Sequence, residues 1–182
     1  TARDAGAKER VPMCGVPHHS VSSYIDRLTE KGYKIAIVEQ TSDPKDAKGI
    51  VEREVVRIIT PGTVLEGSVL QEKENNFLVC IEESKDHYIL AYTDLSTGEN
   101  YLTTIPLIKE LLHTEILKLN TKEIVVSDAF PQQEIHDLKQ ILFITVSIEN
   151  QADAIESLSH IYKEFLADEQ RALKRLFNYI LK

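Results

Sequence analysis

The chain has 182 residues, 42% of them hydrophobic and 27% charged, an ordinary balance for a soluble globular protein with room for one large domain or two small ones. No run approaches the roughly 18 apolar residues of a membrane span, and a net charge of −8 argues against a chain that binds nucleic acid along its whole length. The charge is uneven: residues 1–60 hold 10 Lys/Arg and 9 Asp/Glu, a net of +1, whereas residues 61–182 hold 11 and 20, a net of −9, so any polyanion contact is expected in the first third.

Residues 1–10 are polar and small and read as a loop. Val11-Pro12-Met13-Cys14-Gly15-Val16-Pro17 is apolar but interrupted by two prolines, which suits an edge strand or an extended segment. A helix is predicted from Ser20, with Val21, Tyr24, Ile25 and Leu28 at i, i+3, i+4 and i+7, Lys31 in the last turn and Gly32 as the stop. Residues 33–39 then read as a buried strand, because Ile35, Ala36, Ile37 and Val38 form an unbroken apolar run. After a loop around Asp43-Pro44, a second strand is predicted over residues 51–60. Period-2 alternation places Val51, Arg53, Val55, Arg57 and Ile59 on one side of it. Pro61-Gly62 is the pair favoured at the centre of a type II turn. Charge balance and pattern both change there, so a domain boundary is placed at about residue 61.

Three strands open the second part, at residues 76–82, 88–95 and 99–105. Ser96-Thr97-Gly98 joins the last two, with Gly where a hairpin needs a positive φ. Pro106 is expected to open a helix carrying Ile108, Leu111, Leu112 and Leu119. A strand at 123–127 follows, then a helix opened by Pro131 with Ile135, Leu138 and Leu142, then a fifth strand at 143–148. Two helices, about 152–166 and 169–182, finish the chain. The last carries Leu173, Leu176, Phe177, Ile180 and Leu181 as an apolar stripe. The predicted class is α/β: a truncated N-terminal unit, then a five-stranded mixed sheet in the order βββαβαβα, resembling the ribonuclease H fold, and a C-terminal helix.

That resemblance makes a metal-dependent nuclease the enzyme reading to weigh, since such sites gather carboxylates around one or two metal ions. The candidates are Glu82, Glu83, Asp94 and Asp128, but Phe77-Leu78-Val79-Cys80-Ile81, the middle of the leading strand, carries no acid. Acids at strand ends are more often ordinary solvated termini, and a fold can be used without its chemistry. His18-His19 has no carboxylate or Cys at ligand spacing and reads as a loop before a helix, with one histidine packed. Cys14 and Cys80 read as two reduced thiols of a cytoplasmic protein. No Gly-x-x-x-x-Gly-Lys-Ser/Thr phosphate loop occurs. Arg53 and Arg57, on one side of a strand by alternation, fit either DNA phosphates or cross-strand acids such as Glu39. Thr1-Ala2-Arg3-Asp4 has neither an initiator Met nor a leader-like run, and reads as the start of an internal piece.

Several stretches are similar to the MutS family of DNA mismatch-recognition proteins. Pro12-Met13-Cys14-Gly15-Val16-Pro17-His18-His19 resembles its P-M-x-G-[IV]-P-x-H segment. Lys34-Ile35-Ala36-Ile37-Val38-Glu39-Gln40, with Asp43-Pro44 and Lys48-Gly49, resembles the strand and loop that follow. The run from Val51 to Thr63 resembles the domain junction, and Asn75-Asn76-Phe77 with Asp94-Leu95-Ser96-Thr97-Gly98-Glu99 the connector domain. The resemblance implies a rear part of the mismatch-binding domain over 1–60, a connector over 61–166, and the start of a lever helix over 167–182. It implies no catalysis in this piece, within a longer DNA-dependent ATPase that uses ATP and Mg, dimerises and scans duplex DNA for mispairs. By resemblance Arg3 and Arg53 approach the DNA backbone, Met13 lies near the wedge, and the connector docks MutL. The family's Phe-x-Glu wedge is missing, because no Phe here is followed two residues later by Glu. In isolation the stripe on the last helix is expected to lack a partner and to pair with another copy.

Overall fold

The computed structural model describes residues 2–3, 11–12, 15–42, 51–64 and 75–182. In the first third, β1 (Ala2–Arg3) pairs antiparallel with β2 (Val11–Pro12). A 3-10 turn at His18–Ser20 leads into α1 (Val21–Thr29), and both histidines are exposed, so neither is packed as expected. Gly32 stops this helix as predicted: its φ is +81°, and the amides of Gly32 and Tyr33 close onto the carbonyls of Thr29 and Leu28. β3 (Ile35–Gln40) then pairs antiparallel with β4 (Arg53–Ile59).

Two expectations for this pair are corrected. Ile35 and Ile37 are half-buried on the side of α1, but Ala36, Val38, Val55, Val56 and Ile58 are exposed. Among the described residues β3 has only β4 beside it, so an apolar run does not make it a buried strand. The second correction concerns the arginines. Ile37 lies opposite Arg57 while Val38 lies opposite Val55, which leaves Val56 as an extra residue on β4. Residues directly opposite share a face, and Ile37 and Gln40 are on opposite faces of β3. Arg57, opposite Ile37, and Arg53, opposite Gln40, therefore point to different sides. The bulge breaks the alternation on which their shared side rested.

The turn after β4 also differs from expectation. The Thr63 amide bonds to the Thr60 carbonyl at 3.1 Å, so Pro61 and Gly62 are central, but Gly62 lacks the positive φ of a type II turn. Glycine is needed there for space. A Cβ on Gly62 would sit 2.7 Å from Leu78 Cδ1 and 3.0 Å from Glu123 Oε2.

Residues 75–182 carry a five-stranded mixed sheet in the order β7-β6-β5-β8-β9. β5 (Phe77–Glu83), β6 (His87–Asp94) and β7 (Glu99–Pro106) form an antiparallel meander. β8 (Glu123–Val126) lies parallel to β5, and β9 (Thr145–Ile148) parallel to β8. The crossovers are α2 (Lys109–Leu119) and α3 (Gln132–Gln140). Gly98, with φ +77°, closes the β6–β7 hairpin as predicted.

β5 reads as continuous apolar sequence because both faces of the sheet are covered. Phe77, Val79 and Ile81 point to the α2–α3 side, where they meet Leu112, Ile116, Ile135 and Leu138. Leu78 and Cys80 point the other way, against Tyr162 of α4 (Ser159–Tyr162) and Ala172, Leu173 and Leu176 of α5 (Ala167–Ile180). The stripe on the last helix is thus not without a partner: its central residues complete the second core. Burial of Cys80 pushes its thiol well up from the ordinary range, leaving it a protonated, apolar filler. Cys14 lies outside the described residues.

Two helix boundaries differ from expectation. Pro106 ends β7 instead of opening α2; β7 is an edge strand, where a missing N–H costs no ladder bond. The helix expected over 152–166 shrinks to a 3-10 turn at Glu156–Leu158 followed by α4. Asn178 Nδ2 donates to the Asp153 carbonyl at 2.9 Å, and Asp153 itself lies outside any helix.

Candidate functional site

Of the three residues expected at DNA, two lie in described strands, on different two-stranded sheets. Arg3 ends β1, opposite Val11, and Met13 lies outside the described residues. Arg53 opens β4 on a different two-stranded sheet, exposed, with Nη1 donating to the Val51 carbonyl at 3.4 Å. Among the described residues that single long bond leaves most of the guanidinium open to an anion.

Of the four nuclease candidates, Glu83 is exposed at the end of β5 and the other three are otherwise engaged. Glu82 is buried at the end of β5, and both its oxygens accept from arginines of α5: Oε1 from Arg175 Nε and Oε2 from Arg171 Nε, the latter at 3.1 Å. Arg175 also donates to the Glu149 carbonyl, and Arg171 to Asp168. A carboxylate held between two guanidiniums already has its charge paired and both oxygens engaged, which weakens any claim on a metal ion. Asp128 exchanges two 3.0 Å bonds with Asn150, and Asp94 accepts from Ser96 and Asn76 in the hairpin. Among the described residues no group of three or more His, Cys, Asp or Glu is placed to hold a metal ion. The nuclease reading therefore gains no support from the described residues.

Sequence reasoning missed a buried centre beside the Pro61-Gly62 turn. Glu123, at the start of β8, is fully buried. Its Oε2 accepts from the Gly62 amide at 2.9 Å. Its Oε1 accepts from Ser147 Oγ of β9 and from Tyr179 Oη of α5, the latter at 2.6 Å. Lys34 Nζ stands 4.0 Å from Oε1 and 3.5 Å from Tyr179 Oη. Burial, then the neighbouring Glu123 charge and its hydrogen bond, push the Tyr179 phenol well up. A glutamate at the start of a strand gives no sequence signal of this role.

One further surface stands out. Phe143, just before β9, is 87% exposed and holds a left-handed backbone at φ +56°, with Ile141 exposed beside it. An exposed aromatic in such a conformation is a feature that functional surfaces tend to carry. Exposure and backbone mark it, whereas sequence periodicity had assigned Phe143 to a strand.

Comparison with known proteins covers the chain almost end to end. The family model for MutS domain I matches residues 1–68, and that for MutS domain II matches residues 76–180. The DNA mismatch repair protein MutS of Bacillus mycoides (strain KBAB4) is 46% identical over 184 aligned positions. Those of Bacillus cereus (strain G9842) and Bacillus thuringiensis (strain Al Hakam) are also 46% identical. Each alignment takes in 100% of this chain and 21% of the relative, so the chain spans about a fifth of the length of these relatives.

Proposed function

Because the chain belongs to the MutS family and carries its domains I and II, we propose that it is a non-catalytic part of a DNA mismatch-recognition protein, supplying backbone contacts and a connector. The observation that carries this reading is the ordered match of both domains on one chain, with the positive balance confined to the first. Arg3 and Arg53 are assigned to DNA phosphates and Met13 to the neighbourhood of the wedge. In the longer protein the work is to kink duplex DNA at a mispair, where unstacking costs least. That protein is taken to be a cytoplasmic homodimer whose ATPase, with ATP and Mg, lies outside this sequence.

The division near residue 61 is part of the proposal, with 61–166 as the connector. α5, from residue 167, closes the sheet's second face on its way to the lever helices. Among the described residues no helix is long and apolar enough to cross a membrane. MutL is assigned to the connector, with Phe143 and Ile141 as the favoured contact because they form an exposed apolar pair. Loss of MutL capture by Phe143→Ala, with unchanged thermal stability, is the expected result; full retention removes the assignment.

Titration of the 182-residue chain with matched and G·T duplexes tests the DNA reading. Weak binding that falls steeply with salt and shows no preference for the mispair is expected, since each phosphate contact adds about 0.9 to the log–log salt slope. Arg53→Ala should lower that slope by about 1 on any sequence. A clear preference for G·T, or a salt slope untouched by the substitution, contradicts the assignment. DNA cleavage in Mg²⁺ would revive the nuclease.

A further inference from the structure

We propose that Glu123 and Tyr179 form a latch that couples the last turn of α5 to the junction turn and, through Lys34, to the β3–β4 unit. The inference rests on geometry alone and does not depend on DNA binding. Four separate segments converge on one buried carboxylate: the Gly62 amide from the turn, Ser147 from β9, Tyr179 from α5, and Lys34 from just before β3. A fully buried charge is tolerated only while it is hydrogen-bonded, so each partner that leaves makes the carboxylate harder to keep in place for the rest.

Tyr179 is the member that joins α5 to the N-terminal unit. Its hydroxyl reaches Glu123 at 2.6 Å and Ser147 Oγ at 3.2 Å, and it accepts from Lys34 Nζ at 3.5 Å, with that ammonium 5.7 Å from the ring centroid. A helix that slides by one residue moves about 1.5 Å and turns by about 100°, enough to withdraw the hydroxyl. A cavity of about 520 Å³ borders the ring, lined by Arg57, Ile58, Thr60 and Ile180, and gives it room to swing. On the other side of the carboxylate Gly62 has no slack, because even a Cβ there meets Leu78 and Glu123. A shift of the Tyr179 hydroxyl is therefore felt at Gly62. Glu82 differs: both its arginine partners belong to α5, so it anchors the helix without reporting to the junction.

Amide hydrogen exchange on the 182-residue chain tests the latch. Tyr179→Phe keeps the ring and its packing but removes the hydroxyl. Exchange at Gly62 is expected to accelerate about tenfold or more, the scale of one lost hydrogen bond to a charged group. The amides of Val79 and Val125 in the sheet centre should change far less. Glu123→Gln should give the same local pattern, and adding Tyr179→Phe to it should add little, because both remove one interaction. Should Glu123→Gln fail to fold, Tyr179→Phe alone decides. Unchanged exchange at Gly62, or an equal acceleration at Val79 and Val125, overturns the proposal.

Discussion

Leu176→Ala measures how far α5 belongs to the sheet. Leu176 is fully buried on the second face, in one cluster with Leu78, Cys80, Ile89, Ala91 and Val125. Truncation removes three carbons from that cluster. At about 0.8 kcal/mol per buried methylene the transfer loss is roughly 2.4 kcal/mol. A cavity left between a helix and a sheet clamped together by the Glu82 ion pairs closes poorly, which brings the total to about 3–4 kcal/mol, within the range for such truncations. For a domain of roughly this size that lowers Tm by about 12 °C or more. Urea and thermal unfolding followed by far-UV circular dichroism read both quantities. Leu181→Ala, at an exposed position just past α5, is the control and should stay within about 0.5 kcal/mol. A loss below about 1 kcal/mol for Leu176→Ala would show that α5 is not part of the cooperative core.

Arg175→Ala should cost about 3–5 kcal/mol in a urea titration, because it leaves the buried Glu82 with only the more exposed Arg171 as counter-ion; a cost near zero would mean that Glu82 is not held as a charge. Burial raises the Asp94 carboxyl, but bonds from the Ser96 hydroxyl and amide, and from the Asn76 and Thr97 amides, outweigh it and hold the group below the usual carboxylate range. A depressed folded pKa gives stability that is complete above the unfolded value, about 3.9, and is lost as pH falls through the folded one. The urea midpoint should therefore drop more between about pH 5 and about pH 3 in the parent chain than in Asp94→Asn, and parallel drops refute the assignment. Gly62→Ala should lower stability by about 1–3 kcal/mol through overlap with Leu78, measured by thermal unfolding; a neutral result would mean the turn has room.

The second unit was legible because its signals are local. Gly98 requires a hairpin turn, β5 reads apolar from Phe77 to Ile81, and the order of strands and helices leaves few ways to build a sheet. The first unit was legible only in part. An apolar run at Ile35–Val38 looks the same whether or not something covers it, and exposure of Val38 depends on what stands opposite. The side shared by Arg53 and Arg57 failed at a bulge, where one extra residue on β4 leaves no mark in composition.

The sequence by itself determined the family, the order of elements, the mixed sheet and the concentration of positive balance in the first third, because family motifs, turn residues and hydrophobic periodicity act over a few neighbouring positions. Tertiary structure decided which faces are covered, that Gly62 is required for close approach and not for its φ, that Glu82 belongs to arginines and not to a metal, and that Glu123 gathers four segments. Those outcomes depend on side chains far apart in the chain: 61 positions separate Gly62 from Glu123 and 93 separate Glu82 from Arg175. The energy of a buried charge is set by whatever surrounds it in space, which no local pattern records.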